Sequence, residues 1–255
     1  MNGTFLLERK WRGKLVLQAV RAPACARARY ASSAEWRACQ LVLRQDYDRR
    51  PPYARGTAWH DVQPLMLSYA LLHRSDRYTQ GFLYISLPIM LALSPALWLG
   101  ATTEVAGALR VYGPAAGQIH GFAAHQRQAA RTVAALAQQL LRKRGAARAA
   151  RRVGRVALLR AFKDMLCLRW FFIMFGQSVR TPASVLAVWD FCLHDLVYGH
   201  QERLWRLAAY FIADWATHAA RWDGGDECAE QALSGMFEHT WGDRGLARVL
   251  HAARH

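Results

Sequence analysis

From Gly81 to Thr103 the chain runs for 23 residues without a charged side chain, "GFLYISLPIMLALSPALWLGATT". No other stretch narrows the fold as much. As one helix it would be long enough to cross a bilayer. Pro88 and Pro95 interrupt it, however, and the polar turn "HRSDRYTQGF" leads straight into it. The remaining helical segments are amphipathic, so the run is read as a buried apolar central helix around which others pack. That arrangement needs a large apolar surround. The 255 residues are 53% hydrophobic and 20% charged, enough for one large helical domain or two small ones with a full core.

Helical spacing supports the same reading. In "LWRLAAYFIADW", Leu204, Leu207, Ala208, Phe211, Ile212 and Trp215 recur at helical intervals and form one buried face. Leu65, Met66, Tyr69 and Leu72 trace another apolar stripe. In "TPASVLAVWDFCLHDL", Thr181 can accept from free amides as the N-cap and Pro182 suits the first helical position. Leu186, Trp189, Leu193 and Leu196 then face one way. No alternating run is long enough for a strand, so the fold class expected is all-α, a single multi-helix domain.

The net charge of +16 favours acidic partners: anionic lipid, nucleic acid or an acidic protein face. Arg142 to Arg155, "RKRGAARAARRVGR", packs seven basic residues into fourteen positions and is read as a loop, either a solvated connector or a patch for an anionic membrane surface. "GPAAG", Gly113 to Gly117, is read as a second loop that ends a helix. Five scattered cysteines without a C-x-x-C pair fit a reducing compartment. Glu8, Arg9 and Lys10 interrupt the only early apolar run, so no secretory leader is expected. Three chemistries lack their patterns. His120, His125, His194 and His200 are not spaced as helical metal ligands, no G-x-S-x-G elbow occurs, and no phosphate-binding G-x-x-x-x-G-K-[ST] loop is present.

Three motifs in order carry a resemblance. Leu43-x-x-Asp46-x-x-Arg49 precedes the helix-ending "RPPY". In a helix Asp46 and Arg49 are neighbours, so the carboxylate can steady the guanidinium stem. About thirty residues later comes Tyr78-x-Gln80-Gly81. Further on, Arg169-Trp170 opens an apolar stretch and Trp189-Asp190 sits on the next helix. This order and spacing resembles the TBC domain, a family of GTPase-activating proteins for Rab-type small GTPases, and "WRGKLVLQAV" is similar to its opening helix. The likeness covers residues 11–240, leaving 1–10 as an N-terminal extension and 241–255 as a C-terminal tail. Arg50, Phe82 and Leu83 stand where the family usually has Thr, Met and Asn, and two adjacent arginines compete for one role.

The resemblance implies that Arg49 and Gln80 are fingers supplied in trans. GTP hydrolysis spreads negative charge over the γ-phosphate oxygens and needs a water held in line. An arginine from outside supplies charge and fixed donors there. A glutamine amide, donor and acceptor in one group, can orient the water. Gly81 leaves room for close approach and Tyr78 packs the turn, while Trp189 and Asp190 serve as an internal anchor for which Arg169 is a candidate partner. The chain would activate an enzyme without a substrate site of its own. It would need no cofactor of its own, since the partner GTPase carries GTP and magnesium. Its place would be cytoplasmic, peripheral on endomembranes, with nucleic acid a poor partner. Two other readings stay open: a silent TBC module that only binds a GTPase, and a basic membrane-associated helical protein.

Overall fold

The computed structural model describes residues 29–72, 80–109, 112, 122–196, 199–218 and 226–254, and among them the chain is all-α, with one isolated β-bridge and no strand. The "WRGKLVLQAV" segment, Tyr78 and "GPAAG" lie outside the described residues.

Helix α1, Ala34–Asp48, begins where the Ser33 side chain accepts the Trp36 amide at 3.1 Å. Trp36, Cys39, Leu43 and Tyr47 turn one face inward. Pro51 and Pro52 then stop it, since neither can donate to the preceding turn, and a 3-10 turn at Pro52–Ala54 follows. Helix α2, Trp59–Leu72, buries Leu65, Met66 and Tyr69 as the stripe requires, but Leu72 at its end is exposed.

The uncharged run is a pair of helices, not the single helix expected. Helix α3, Leu83–Ala92, is buried from Leu83 through Ile89. Leu93 is extended, and α4, Pro95–Leu109, starts on its proline. Pro95 favours the new start there: it disfavours helical backbone at Ser94 and suits a first helical position. The Trp98 indole donates to the Leu93 carbonyl at 2.9 Å across the break. Among the described residues no helix is long and apolar enough to cross a membrane.

The second half packs around α9, Glu202–His218, whose Leu204, Leu207, Ala208, Phe211 and Ile212 are buried. Helix α5, Phe122–Lys143, lies along it with Ala129, Val133, Ala137 and Leu141 inward. The segment 142–155 is mostly helical instead of a loop. After a turn at Gly145, with φ +73°, α6 runs over Ala147–Leu158 and packs back on α5. Then come α7, Arg160–Met165, a π-helical stretch Leu166–Phe171, α8, Pro182–Leu196, and α10, Asp226–Glu238.

Residues 241–254, expected as a tail, belong to the fold. Trp241 is 2% exposed and its ring meets Phe211 at 4.1 Å. Its amide donates to Ser178 and its indole to Asp214. Helix α11, Asp243–Arg254, then buries Leu246, Val249, Leu250 and Ala253 against α9. The Asp243 carboxylate accepts from Thr181 at 3.0 Å and Ser184 at 2.6 Å, tying the start of α11 to that of α8. Those hydroxyls hold its pKa below the usual carboxylate range. The link is therefore complete above that range and is lost as pH falls through the lowered value.

Trp170, Phe175, Phe237 and Trp241 surround Phe211 or one another at centroid distances between 4.1 and 6.0 Å. Phe211→Ala empties the middle of this cluster and is expected to cost about 3–5 kcal/mol. Urea denaturation measures it, and a loss under about 1 kcal/mol would contradict this packing.

Candidate functional site

The first two motifs meet through a hydrogen bond. Asp46, on the last turn of α1, is 2% exposed. Its Oδ2 accepts the Gly81 backbone N–H at 2.7 Å, bridging 35 residues of chain. Sequence spacing suggested that Asp46 would steady Arg49, its neighbour one turn on. The carboxylate reaches across to the turn that opens α3. A buried carboxylate needs such a donor, because an unpaired charge out of water is costly. Gly81 adopts φ +89°, a left-handed backbone that presents its amide to Asp46 and is natural only for glycine.

On either side of this bond lie the two finger candidates. Arg49 is the C-terminal cap of α1 and exposed; Gln80 directly precedes Gly81 and is exposed as well. The Tyr84 hydroxyl, in the first turn of α3, donates to the Arg49 carbonyl at 3.4 Å. The two adjacent arginines go different ways. Arg50 folds back, donating to the Tyr47 carbonyl at 2.8 Å and to the Arg55 carbonyl at 3.3 Å, with its guanidinium 3.9 Å from the Tyr47 ring centre. It thereby caps the end of α1, a position that favours a cation. Tyr47 in turn donates to Thr57 at 3.0 Å, closing the loop after the prolines.

The third motif joins only in part. Arg169, exposed on the π-helical stretch, is close enough for its charge to act on Tyr84. Burial raises the Tyr84 phenol above its ordinary pKa; a side-chain hydrogen bond with Gln177 opposes that rise, Asp46 adds to it, and Arg49 and Arg169 oppose it. The phenol therefore remains a neutral donor at physiological pH. Trp189 is fully buried on α8 and its indole N–H has no acceptor among the described residues, so it belongs to the core. Asp190 beside it is half-buried.

Two residues of this cluster, Tyr84 and Gln177, carry no motif signal and escaped sequence reasoning. Gln177 is held by an unusual segment. Met174 and Phe175, both buried, adopt φ +45° and +58°, where non-glycine residues are strained. At Gly176 a Cβ would come within 3.0 Å of the Ile173 carbonyl and 3.1 Å of the Tyr53 hydroxyl, so any larger residue would force these neighbours to give by a few tenths of an ångström. Positive φ at consecutive apolar residues leaves no sequence pattern. Only the glycine before Gln177 hints at a turn.

Chemically, the rim presents two exposed side chains, a guanidinium and an amide. A second guanidinium, Arg169, stands nearby; of the carboxylates here, Asp46 accepts from a backbone amide and Asp48 pairs with Arg44 at 3.3 Å. This arrangement attracts anions rather than cations. Among the described residues no group of three or more His, Cys, Asp or Glu is placed to hold a metal ion. No family model, no curated protein and no solved structure matches this chain.

Two substitutions test the linkage. Gly81→Ala adds a Cβ with ordinary contacts, 3.8 Å to Ile173 and 3.9 Å to Tyr84, so its cost should come from the backbone alone, about 1–2 kcal/mol. Asp46→Ala should cost about 1.5–3 kcal/mol, the range of a charge-assisted hydrogen bond. Denaturant midpoints unchanged in both variants would contradict the bond.

Proposed function

We propose that this chain is a GTPase-activating protein of the TBC kind, delivering Arg49 and Gln80 into the nucleotide site of a Rab-type small GTPase. The observation that carries this reading is the Asp46–Gly81 hydrogen bond. It brings together two motifs that sequence separates, and it leaves an exposed arginine and an exposed glutamine beside it. Membership of the family rests on the motifs alone.

In this reading the partner supplies GTP, magnesium and the attacking water. Arg49 neutralises charge developing between the β- and γ-phosphates, a contribution of about 10³–10⁵ in rate, or roughly 4–7 kcal/mol of barrier. The Gln80 amide accepts from the water with its oxygen and donates to a γ-phosphate oxygen with its nitrogen, which fixes the line of attack. Neither side chain changes protonation. Their contribution is position and charge, so the backbone anchors at Gly81 and Tyr84 matter as much as the fingers. Arg169 adds to the positive field that the triphosphate meets. Such a protein would act on the cytoplasmic face of endomembranes.

Single-turnover GTP hydrolysis over a panel of GTP-loaded small GTPases is the test. With the responsive GTPase, Arg49→Ala and Gln80→Ala should each remove acceleration by about 10³-fold or more while binding persists. Arg50→Ala should lower thermal stability and leave the acceleration in place. Binding without acceleration by the wild-type chain would establish a silent module. Loss of activity in Arg50→Ala with Arg49→Ala unaffected would move the finger by one residue.

A further inference from the structure

The sequence has no Asp or Glu between Glu104 and Asp164, and α5 and α6 fall inside that span as one helical hairpin. The inner faces of both helices are small and apolar, Ala150, Val153 and Val156 on α6 against the buried alanines and leucine of α5. The outer face of α6 is basic. Arg151 and Arg155 are exposed four residues apart, one helical turn on the same side. Leu158 continues that row three residues further and is 86% exposed, among the most open large apolar side chains in the molecule. Helix α6 ends at Leu159, where the backbone becomes extended, and Arg160 beyond the break is exposed too.

The other end of the hairpin adds to the same field. Arg142, Lys143 and Arg144 are exposed at the close of α5, where the helix dipole favours cations. Their turn is fixed by backbone bonds from Gly145 to Arg142 at 3.0 Å and from Ala146 to Leu141 at 2.8 Å. The cations are therefore held by a folded element rather than strung along a flexible connector.

We propose that this hairpin docks on an anionic lipid bilayer, with α6 lying along the headgroups and Leu158 inserted among them. Charge complementarity supplies the attraction, since juxtamembrane cations gain from an anionic leaflet. The exposed leucine, set between Arg155 and Arg160, distinguishes the occupant. It would gain from an acyl boundary, whereas a nucleic acid offers it nothing. Residues 123–161 contain no Phe, Tyr or Trp on which bases could stack. The apolar face of α6 is already used by the core, so Leu158 is its contribution to insertion and the attachment should be predominantly electrostatic. Nothing in this inference depends on the GTPase reading.

Sedimentation with vesicles tests it. The full chain should bind vesicles of phosphatidylcholine with about one third phosphatidylserine and release as salt is raised from about 50 to 500 mM, because exposed charges are screened. Arg151→Glu with Arg155→Glu should weaken partitioning by about tenfold or more, and Leu158→Ala by about threefold. Circular dichroism and melting temperature confirm that each variant is folded. If charge reversal perturbs folding, Arg151→Gln with Arg155→Gln gives the same comparison with a smaller effect. Equal binding to pure phosphatidylcholine, wild-type partitioning of the arginine variants, or displacement from vesicles by an equimolar DNA or RNA duplex would overturn the proposal.

Discussion

A carboxylate taken out of water must find donors, and in this chain that demand links two segments far apart in sequence. Asp46 sits within the last turn of α1 at 2% exposure, and the Gly81 amide meets it at 2.7 Å. Desolvating such a group costs several kcal/mol when it is unpaired, and a charge-assisted bond to backbone offsets much of that. The bond brings the end of α1 close to the turn that opens α3, where Gly81 takes a left-handed backbone and Arg49 and Gln80 are both exposed. Because the donor is backbone, the anchor fixes main-chain position and leaves both side chains outward.

The surroundings reinforce this junction at a cost in local strain. The Tyr84 hydroxyl reaches the Arg49 carbonyl, and Gln177 reaches Tyr84. To bring Gln177 there, the chain passes through a π-helical stretch and two left-handed residues, Met174 and Phe175. Each left-handed residue costs about 1–2 kcal/mol. The segment is held by what it buries: Phe175 packs against Trp170 at 5.4 Å and Phe211 at 5.1 Å. The aromatic cluster thus supports both the core and the rim of the candidate site. A rim built on a strained backbone that packing over-determines is suited to a role requiring fixed donors.

Periodicity made much of the helical framework legible. The α9 stripe and the Thr181–Pro182 start of α8 appear as the sequence implies, with Thr181 accepting the Ser184 amide at 3.2 Å. Boundaries set by a single residue were harder. Pro95 reads equally well as a kink in one helix or as the start of another, and the packed outcome is the second. The basic segment reads as a loop from its run of charge, yet its arginines fall on one side and Ala150, Val153 and Val156 on the other, a pattern that seats α6. Trp241 and α11 lie past the last motif, so nothing in the motif pattern claimed them.

In the candidate site, sequence supplied Arg49, Gln80, Asp46 and Gly81 as residues but not the bond that joins them. Spacing proposes local partners such as Asp46 and Arg49, but it cannot reveal a long-range pair such as Asp46 with Gly81. Tyr84 and Gln177 had no signal because their roles exist only once α3 and the 174–177 turn are adjacent. Arg50 could have been distinguished from Arg49 by its place just before two prolines, where a cation can fold back onto free helix carbonyls.

Amide hydrogen exchange at Gly81, read by nuclear magnetic resonance, tests the central claim most directly. The account predicts a Gly81 amide that exchanges far more slowly than an exposed turn amide, and that loses this protection in Asp46→Ala, which removes the acceptor, while the Phe211 amide keeps its own. A Gly81 amide exchanging at the open-chain rate in the wild-type protein would contradict it.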